Sequence, residues 1–204
     1  MKKIGVFVGV LGFVVLSLAV DEMPAAATDA KTSSDQAQME KMKALMAPGA
    51  AHQTLEALAG KWNYSSKFWM SPEGKPEETA GVAEHTMIYG GRFLKQEVKG
   101  TWMGQPFEGM GITGFDNIRG QYQTLWIDSM ATGMMWVSGQ YDAATRTLSQ
   151  SGANSCPLTG EKNRQGHSEW KVTDNDHNTY TAYLAGADGN EFKAMEIQYE
   201  RSKE

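Results

Sequence analysis

From Trp62 to the C-terminus the apolar positions recur with a period of two. In "WNYSSKFWM", Trp62, Tyr64, Phe68 and Met70 fall on one face, as in a half-buried strand. The runs "GVAEHTMIY", "RFLKQEVKG", "FEGMGITGF", "QYQTLWIDS", "GMMWVSGQYD", "TLSQSG", "HSEWKVT", "NTYTAYLA" and "EFKAMEIQYER" follow, most of them bounded by Gly, Asn or Asp. "FDNIRGQY", "YDAATRTL" and "AGADGNEF" have the composition of tight turns. No helix long enough for a βαβ crossover interrupts the series. Roughly ten strands in sequence order therefore predict an antiparallel meander, which must close or fold over to hide its edges. The expected fold is all-β: an antiparallel up-and-down barrel with a short N-terminal helix as plug. A two-sheet sandwich is the alternative.

Upstream the period changes. In "AAHQTLEALAGKW", Leu55, Leu58 and Ala59 make one apolar side of a short helix that Gly60 ends. In "QAQMEKMKALMA", Met39, Met42 and Met46 recur at helical spacing before the stop at Pro48-Gly49. Thioethers can take copper(I), but an amphipathic helix with Met as filler accounts for the same spacing. "TDAKTSSD", residues 28–35, reads as a flexible leader. Before it, Lys2-Lys3, the apolar run Ile4 to Val20, and Ala25 and Ala27 in Ala-x-Ala positions form a secretory signal with cleavage after Ala27. An uncleaved anchor is the other reading, since the run is barely long enough to span. The expected organisation is a signal peptide over 1–27, a leader and amphipathic helix over 28–47, and a barrel over 48–204. The protein would be periplasmic or secreted, with no stable membrane insertion after cleavage.

Composition narrows the partners. A net charge of -5 and the lack of any long Lys/Arg block give no reason to expect nucleic acid. The single cysteine, Cys156, cannot form an intramolecular bridge, so the domain must stand on its core. It sits in the turn-rich "GANSCPLTGEK", without a nearby His pattern to activate it.

"GMGITG", Gly109 to Gly114, fits the dinucleotide pattern letter for letter. That fingerprint needs a strand before it and a helix after it, and here a turn follows. The glycines are better explained by a curved strand whose neighbours approach closely. His52, His85, His167 and His177 form no chelating pair, and no nucleophile elbow is present. No metal or cofactor is assigned.

The hairpin "EHTMIYGGRFLKQEV" is more informative. A two-residue Gly90-Gly91 turn pairs Tyr89 with Arg92, Met87 with Leu94 and His85 with Gln96. That face, with Ala83 and Val98, is the more apolar and is placed inward. His85 and Gln96 then become interior neighbours able to satisfy each other, and Arg92 lies at a barrel mouth, aimed past Tyr89. In "QYQTLWID", either Leu125 and Ile127 face inward as plain core, or Tyr122, Trp126 and Asp128 do, as an aromatic floor with an acceptor.

The ordered motifs "PGAAHQTLEALAGKW", "GGRFL", "PFEGMGITGFDN", "WIDS", "GQYD" and "MEIQYER" resemble the bacterial family catalogued as domain of unknown function 1579, from about Pro48 to the end. The resemblance implies a lipocalin-like, calycin-type barrel and no established mechanism. Two departures stand out: Ala50-Ala51 where Pro-Glu is commoner, and Cys156 where Asp is commoner before Pro157. They weaken any role for an acidic group before His52 or in the Cys156 loop. "LEALAGKW" also resembles the opening segment of small haem-binding calycin barrels, where one axial His can hold haem.

The leading expectation is an exported barrel that binds a small, mostly apolar molecule through His85, Tyr89, Arg92, Gln96, Trp126 and Asp128. The alternatives are a structural or interaction module with a filled core, and an enzyme or haem-binding barrel that uses an interior His. An enzyme would need His85 or Asp128 within reach of a substrate proton.

Overall fold

The structure is a computed structural model that describes residues 25–156, 160–186 and 189–203. The signal-peptide run at 4–20 lies outside them. The chain forms two compact units, residues 1–42 and 43–204. Over its described residues the first is the body of helix α1, Ala25–Met46. The helix is longer than Met spacing predicts and takes in the "TDAKTSSD" stretch expected as a leader. Ala25 to Ala27 and Ala30 supply the strongest helix former at its start. Its methionines do not form a buried stripe: Met39, Met42 and Met46 are exposed.

The second unit is a closed antiparallel barrel of ten strands in which every sequence neighbour is a spatial neighbour. The strands are β1 (Gly60–Phe68), β2 (Glu77–Ile88), β3 (Phe93–Trp102), β4 (Gln105–Asp116), β5 (Gln121–Asp128), β6 (Met135–Asp142), β7 (Thr147–Asn154), β8 (Arg164–Val172), β9 (His177–Ala185) and β10 (Glu191–Arg201). β1 closes the barrel on β10, from Trp62 opposite Arg201 to Phe68 opposite Met195. No strand is left with an open edge. Ten period-two runs thus become ten strands, and the sandwich alternative falls away.

Turns explain the order. At one end, Asp116 Oδ1 accepts the backbone N–H groups of Ile118 and Arg119 at 2.8 and 3.0 Å, Asp142 Oδ1 that of Ala144, and Asp174 Oδ1 those of Asp176 and His177. An Asp side chain that imitates a backbone acceptor fixes each reversal locally. The β2–β3 turn differs from expectation. Ladder pairing stops at Ile88 opposite Phe93, leaving four residues, 89–92, in the turn. The register is nevertheless the one a Gly90-Gly91 centre sets, so His85 faces Gln96, Met87 faces Leu94 and Ala83 faces Val98.

The same end is plugged. Helix α2, Ala50–Gln53, runs into a 3₁₀ turn, Thr54–Leu58. Leu55 and Leu58 enter the barrel and join Leu94, Tyr122, Leu148, Trp170 and Val172 in an apolar cluster. Hydrogen bonds latch the plug. The Leu58 carbonyl accepts from Trp62 Nε1 at 3.0 Å and lies 3.0 Å from His85 Nδ1. The Tyr122 hydroxyl donates to the Ala51 carbonyl at 2.8 Å, and an Arg201 guanidinium N–H to that of Ala59 at 2.9 Å. A second cluster, Trp62, Tyr64, Ala83, Val98 and Tyr199, continues toward the opposite end.

Candidate functional site

A polar belt crosses the barrel between its two ends. Gln96 Nε2 donates to Thr113 Oγ1 at 3.2 Å, Thr113 and Thr124 hydroxyls lie 2.8 Å apart, and the Thr124 hydroxyl donates to Gln150 Oε1 at 2.9 Å. The order of donors runs one way, from β3 to β7, so each bond polarises the next. The chain ends at Gln150 Nε2, a buried donor that finds no partner among the described residues.

His85 lies across from Gln96 but does not pair with it. Among the described residues its side chain bonds only the Leu58 carbonyl. A carbonyl only accepts, so Nδ1 carries the proton and Nε2 is an acceptor, buried and without a partner among the described residues. The rings of Trp62, Trp170 and Tyr199 enclose the imidazole, at centroid distances of 6.4, 5.5 and 5.7 Å. Burial lowers its pKa from 6.5 to about 4, against a smaller opposing pull from the Leu58 carbonyl. The ring is therefore neutral at physiological pH. A haem does not fit here: His85 is 2% exposed, and three aromatic rings pack around its imidazole with centroids 5.5–6.4 Å away.

At the end away from the plug the interior opens into a pocket of about 70 Å³. Tyr64, Val98 and Tyr199 line it on the core side, and Phe68, Trp102, Phe107, Trp126 and Met195 line it toward the mouth. Burial raises the Tyr64 phenol, and burial plus the neighbouring phenols of Tyr180 and Tyr64 raises that of Tyr199. Both stay neutral. Phe68 and Trp102 meet edge to face at 4.5 Å on one side of the mouth.

Glycines make the walls possible. A Cβ on Gly109 would overlap the indole of Trp126, and one on Gly111 would lie 3.1 Å from it. The "GMGITG" run is thus part of strand β4, bare where Trp126 lies over it. Gly81 and Gly100, paired across β2 and β3, make the same room for the Tyr64 ring. An aromatic ring over a glycine seals a gap in the sheet and fixes the ring's tilt.

The six expected residues are not brought together. His85 and Gln96 sit inside at mid-height, each committed to another partner. Tyr89 does not face the lumen. It is 76% exposed in the β2–β3 turn with a left-handed φ of 51°, because the turn begins one residue earlier than a two-residue loop would. Arg92 lies at the plugged end, where its guanidinium donates to the carbonyls of Tyr89 and Met46, both at 3.0 Å. Of the two readings of "QYQTLWID", the inward Tyr122 and Trp126 are found: Tyr122 is buried under the plug and Trp126 lines the pocket. Asp128 holds the mouth in shape. Its Oδ2 accepts from Trp126 Nε1 at 2.9 Å, and its Oδ1 accepts from the backbone of Met130 and Ala131 at 2.9 and 3.0 Å.

Sequence reasoning missed most of the pocket, namely Tyr64, Phe68, Trp102, Phe107 and Tyr199. The available signal was the inward-facing glycines, each marking a strand position over which a neighbouring aromatic can lie. Among the described residues, no group of three His, Cys, Asp or Glu side chains is placed to hold a metal ion.

Comparison with known proteins places this architecture. Residues 47–201 match the model of the family described as "Protein of unknown function (DUF1579)", and the chain belongs to that family. No curated protein matches the chain. Among solved structures, that of Rv2717c from M. tuberculosis is similar with a TM-score of 0.57 and 14% identity, over 77% of this chain and 100% of that one. A redesigned beta barrel aligns with a TM-score of 0.40 and 11% identity, over 76% of this chain and 100% of the design. At these identities the likeness to Rv2717c speaks to the fold alone.

Proposed function

We propose that this member of the DUF1579 family is an exported binding protein that takes the apolar end of a small molecule into the pocket between Tyr64, Trp126 and Tyr199. The observation that carries the reading is the asymmetry of the interior. One end is plugged by Leu55 and Leu58 and latched by hydrogen bonds, while the other keeps an aromatic-walled hollow under an open mouth. A solid structural module has no need of that difference. Apolar contact with the rings would supply the affinity.

The test is titration with hexan-1-ol, followed through the indole N–H resonances of Trp102 and Trp126. Saturable shifts are expected in the native protein, and Val98→Trp, which fills the pocket from its inner wall, should abolish them. If hexan-1-ol leaves both indoles unmoved, the filled-module alternative takes precedence.

The Lys2-Lys3, apolar-run and Ala-x-Ala order supports export. Sequencing of the protein from the cell envelope should find Thr28 as its first residue, and a chain that retains Met1 there would exclude cleavage.

A further inference from the structure

The pocket is too small for the whole of most apolar ligands. Its volume, about 70 Å³, is roughly half that of an engineered cavity, ~150 Å³, that accepts benzene. It has room for the last few carbons of a chain and no more. What it lacks in depth is matched by what surrounds the mouth. Five loops lie at this end; those from β7 to β8 and from β9 to β10 lack methionine, and the other three, β1 to β2, β3 to β4 and β5 to β6, leave the pocket-lining strands β1, β3 and β5. Each of these three carries exposed methionine: Met70 (50%) on the first, Met103 (60%) on the second, and Met130 (48%) and Met134 (66%) on the third.

Exposed methionine on three consecutive loops along one side of the opening is not explained by the core. None of the four lines the pocket itself, and each puts an exposed, flexible thioether on a loop that leaves a pocket-lining strand. The surrounding chain is free of charge on two of the three loops: "TWMGQPF", 101–107, and "SMATGMMWVSGQY", 129–141, contain no Asp, Glu, Lys or Arg. The β1–β2 loop has Glu73 and Lys75 of opposite sign. On this side of the mouth charge is thus concentrated at the β1–β2 loop, where Lys193 Nζ also lies 4.8 Å over the Trp69 ring. The rim is also held in place, since Ser129 N–H donates to the Glu108 carbonyl at 2.8 Å and Asp128 binds the backbone of Met130.

We infer that the ligand class is a linear, single-chain amphiphile: the chain end enters the aromatic pocket, the following carbons lie along the methionine rim, and the polar head remains in water. The inference rests on the pocket reading and extends it. Methionine suits this task because its unbranched, polarisable side chain adapts to a flexible chain without demanding one shape. The two uncharged loops leave a head group beside them unrecognised, so discrimination there is by chain length.

The test is the series of 1-alkanols from butan-1-ol to decan-1-ol, with affinities from the indole shifts and the rim followed by the methyl resonances of Met103 and Met134. Affinity is expected to rise about fourfold per added carbon well beyond the length the pocket holds, the factor corresponding to ~0.8 kcal/mol per buried CH₂. The two methionine methyls should shift only with the longer members. A double Met103→Gln and Met134→Gln variant, exposed positions whose exchange leaves the core intact, should bind butan-1-ol as before and lose the further gain. If affinity levels off after the shortest alkanols, or the double variant binds the long ones unchanged, the rim has no role and the pocket reading stands alone. If no alkanol binds, both fall.

Discussion

Replacing Trp62 by alanine is expected to lower the unfolding free energy by about 3–5 kcal/mol, the usual range for truncating a buried large aromatic. Trp62 is 1% exposed and stands where three parts of the protein meet. Its indole N–H donates to the Leu58 carbonyl at the end of the plug. Its ring lies under the Arg201 guanidinium at 4.1 Å, and that guanidinium in turn bonds the Ala59 and Asn175 carbonyls at 2.9 and 2.7 Å. Its strand position is opposite Arg201 in the pair that closes the barrel. Loss of the ring opens a cavity and removes the surface on which β1, β10 and the plug are joined. Guanidinium denaturation should show a clear fall in midpoint, whereas Trp136→Ala, at a site 58% exposed, should stay within about 0.5 kcal/mol of the parent. Equal midpoints for the two variants would mean that Trp62 does not support closure.

The strands were legible because each carries its own signal. Period-two alternation marks the run, and a neighbouring Asp or Gly marks the reversal. Asp116, Asp142 and Asp174 act through backbone N–H groups two or three residues away, so that information is local. The inward face of β2 and β3 was legible for a related reason. Its register depends only on the centre of the turn, and the four-residue turn at 89–92 has the same centre as the two-residue turn at Gly90-Gly91. The turn's length was not legible, and it moved Tyr89 out of the lumen.

The pocket was harder to read because it is made by closure. Tyr64 and Tyr199 are partners only after β1 meets β10, strands far apart in sequence. Likewise His85 and Gln96 are adjacent on paper, yet each turns to a partner from another element, Leu58 for one and Thr113 for the other. The face a side chain occupies follows from periodicity. Which of several reachable groups it bonds is decided by the packing of the whole interior.

Acid should destabilise the fold through His85. Its folded pKa, about 4, lies below the ordinary 6.5, so between these values the unfolded chain binds a proton that the folded chain refuses. Stability rises with pH wherever the unfolded state holds more protons. The contribution is therefore complete above about pH 6.5 and is lost progressively as pH falls toward about 4, amounting to about 3 kcal/mol over the window. Other acid-sensitive groups act lower. Hydrogen bonds from the backbone of their own turns hold Asp116, Asp142 and Asp174 below the usual carboxylate range, and the Lys193 ammonium does so for Glu196, so what they add is lost below about pH 4. Urea denaturation at pH 7, 5.5 and 4 should show the fall in the native protein and a much flatter profile for His85→Gln. The amide of that variant can still donate to the Leu58 carbonyl but cannot take a proton. A native profile as flat as the variant's would mean that the faces of Trp62, Trp170 and Tyr199 stabilise the imidazolium enough to offset its burial.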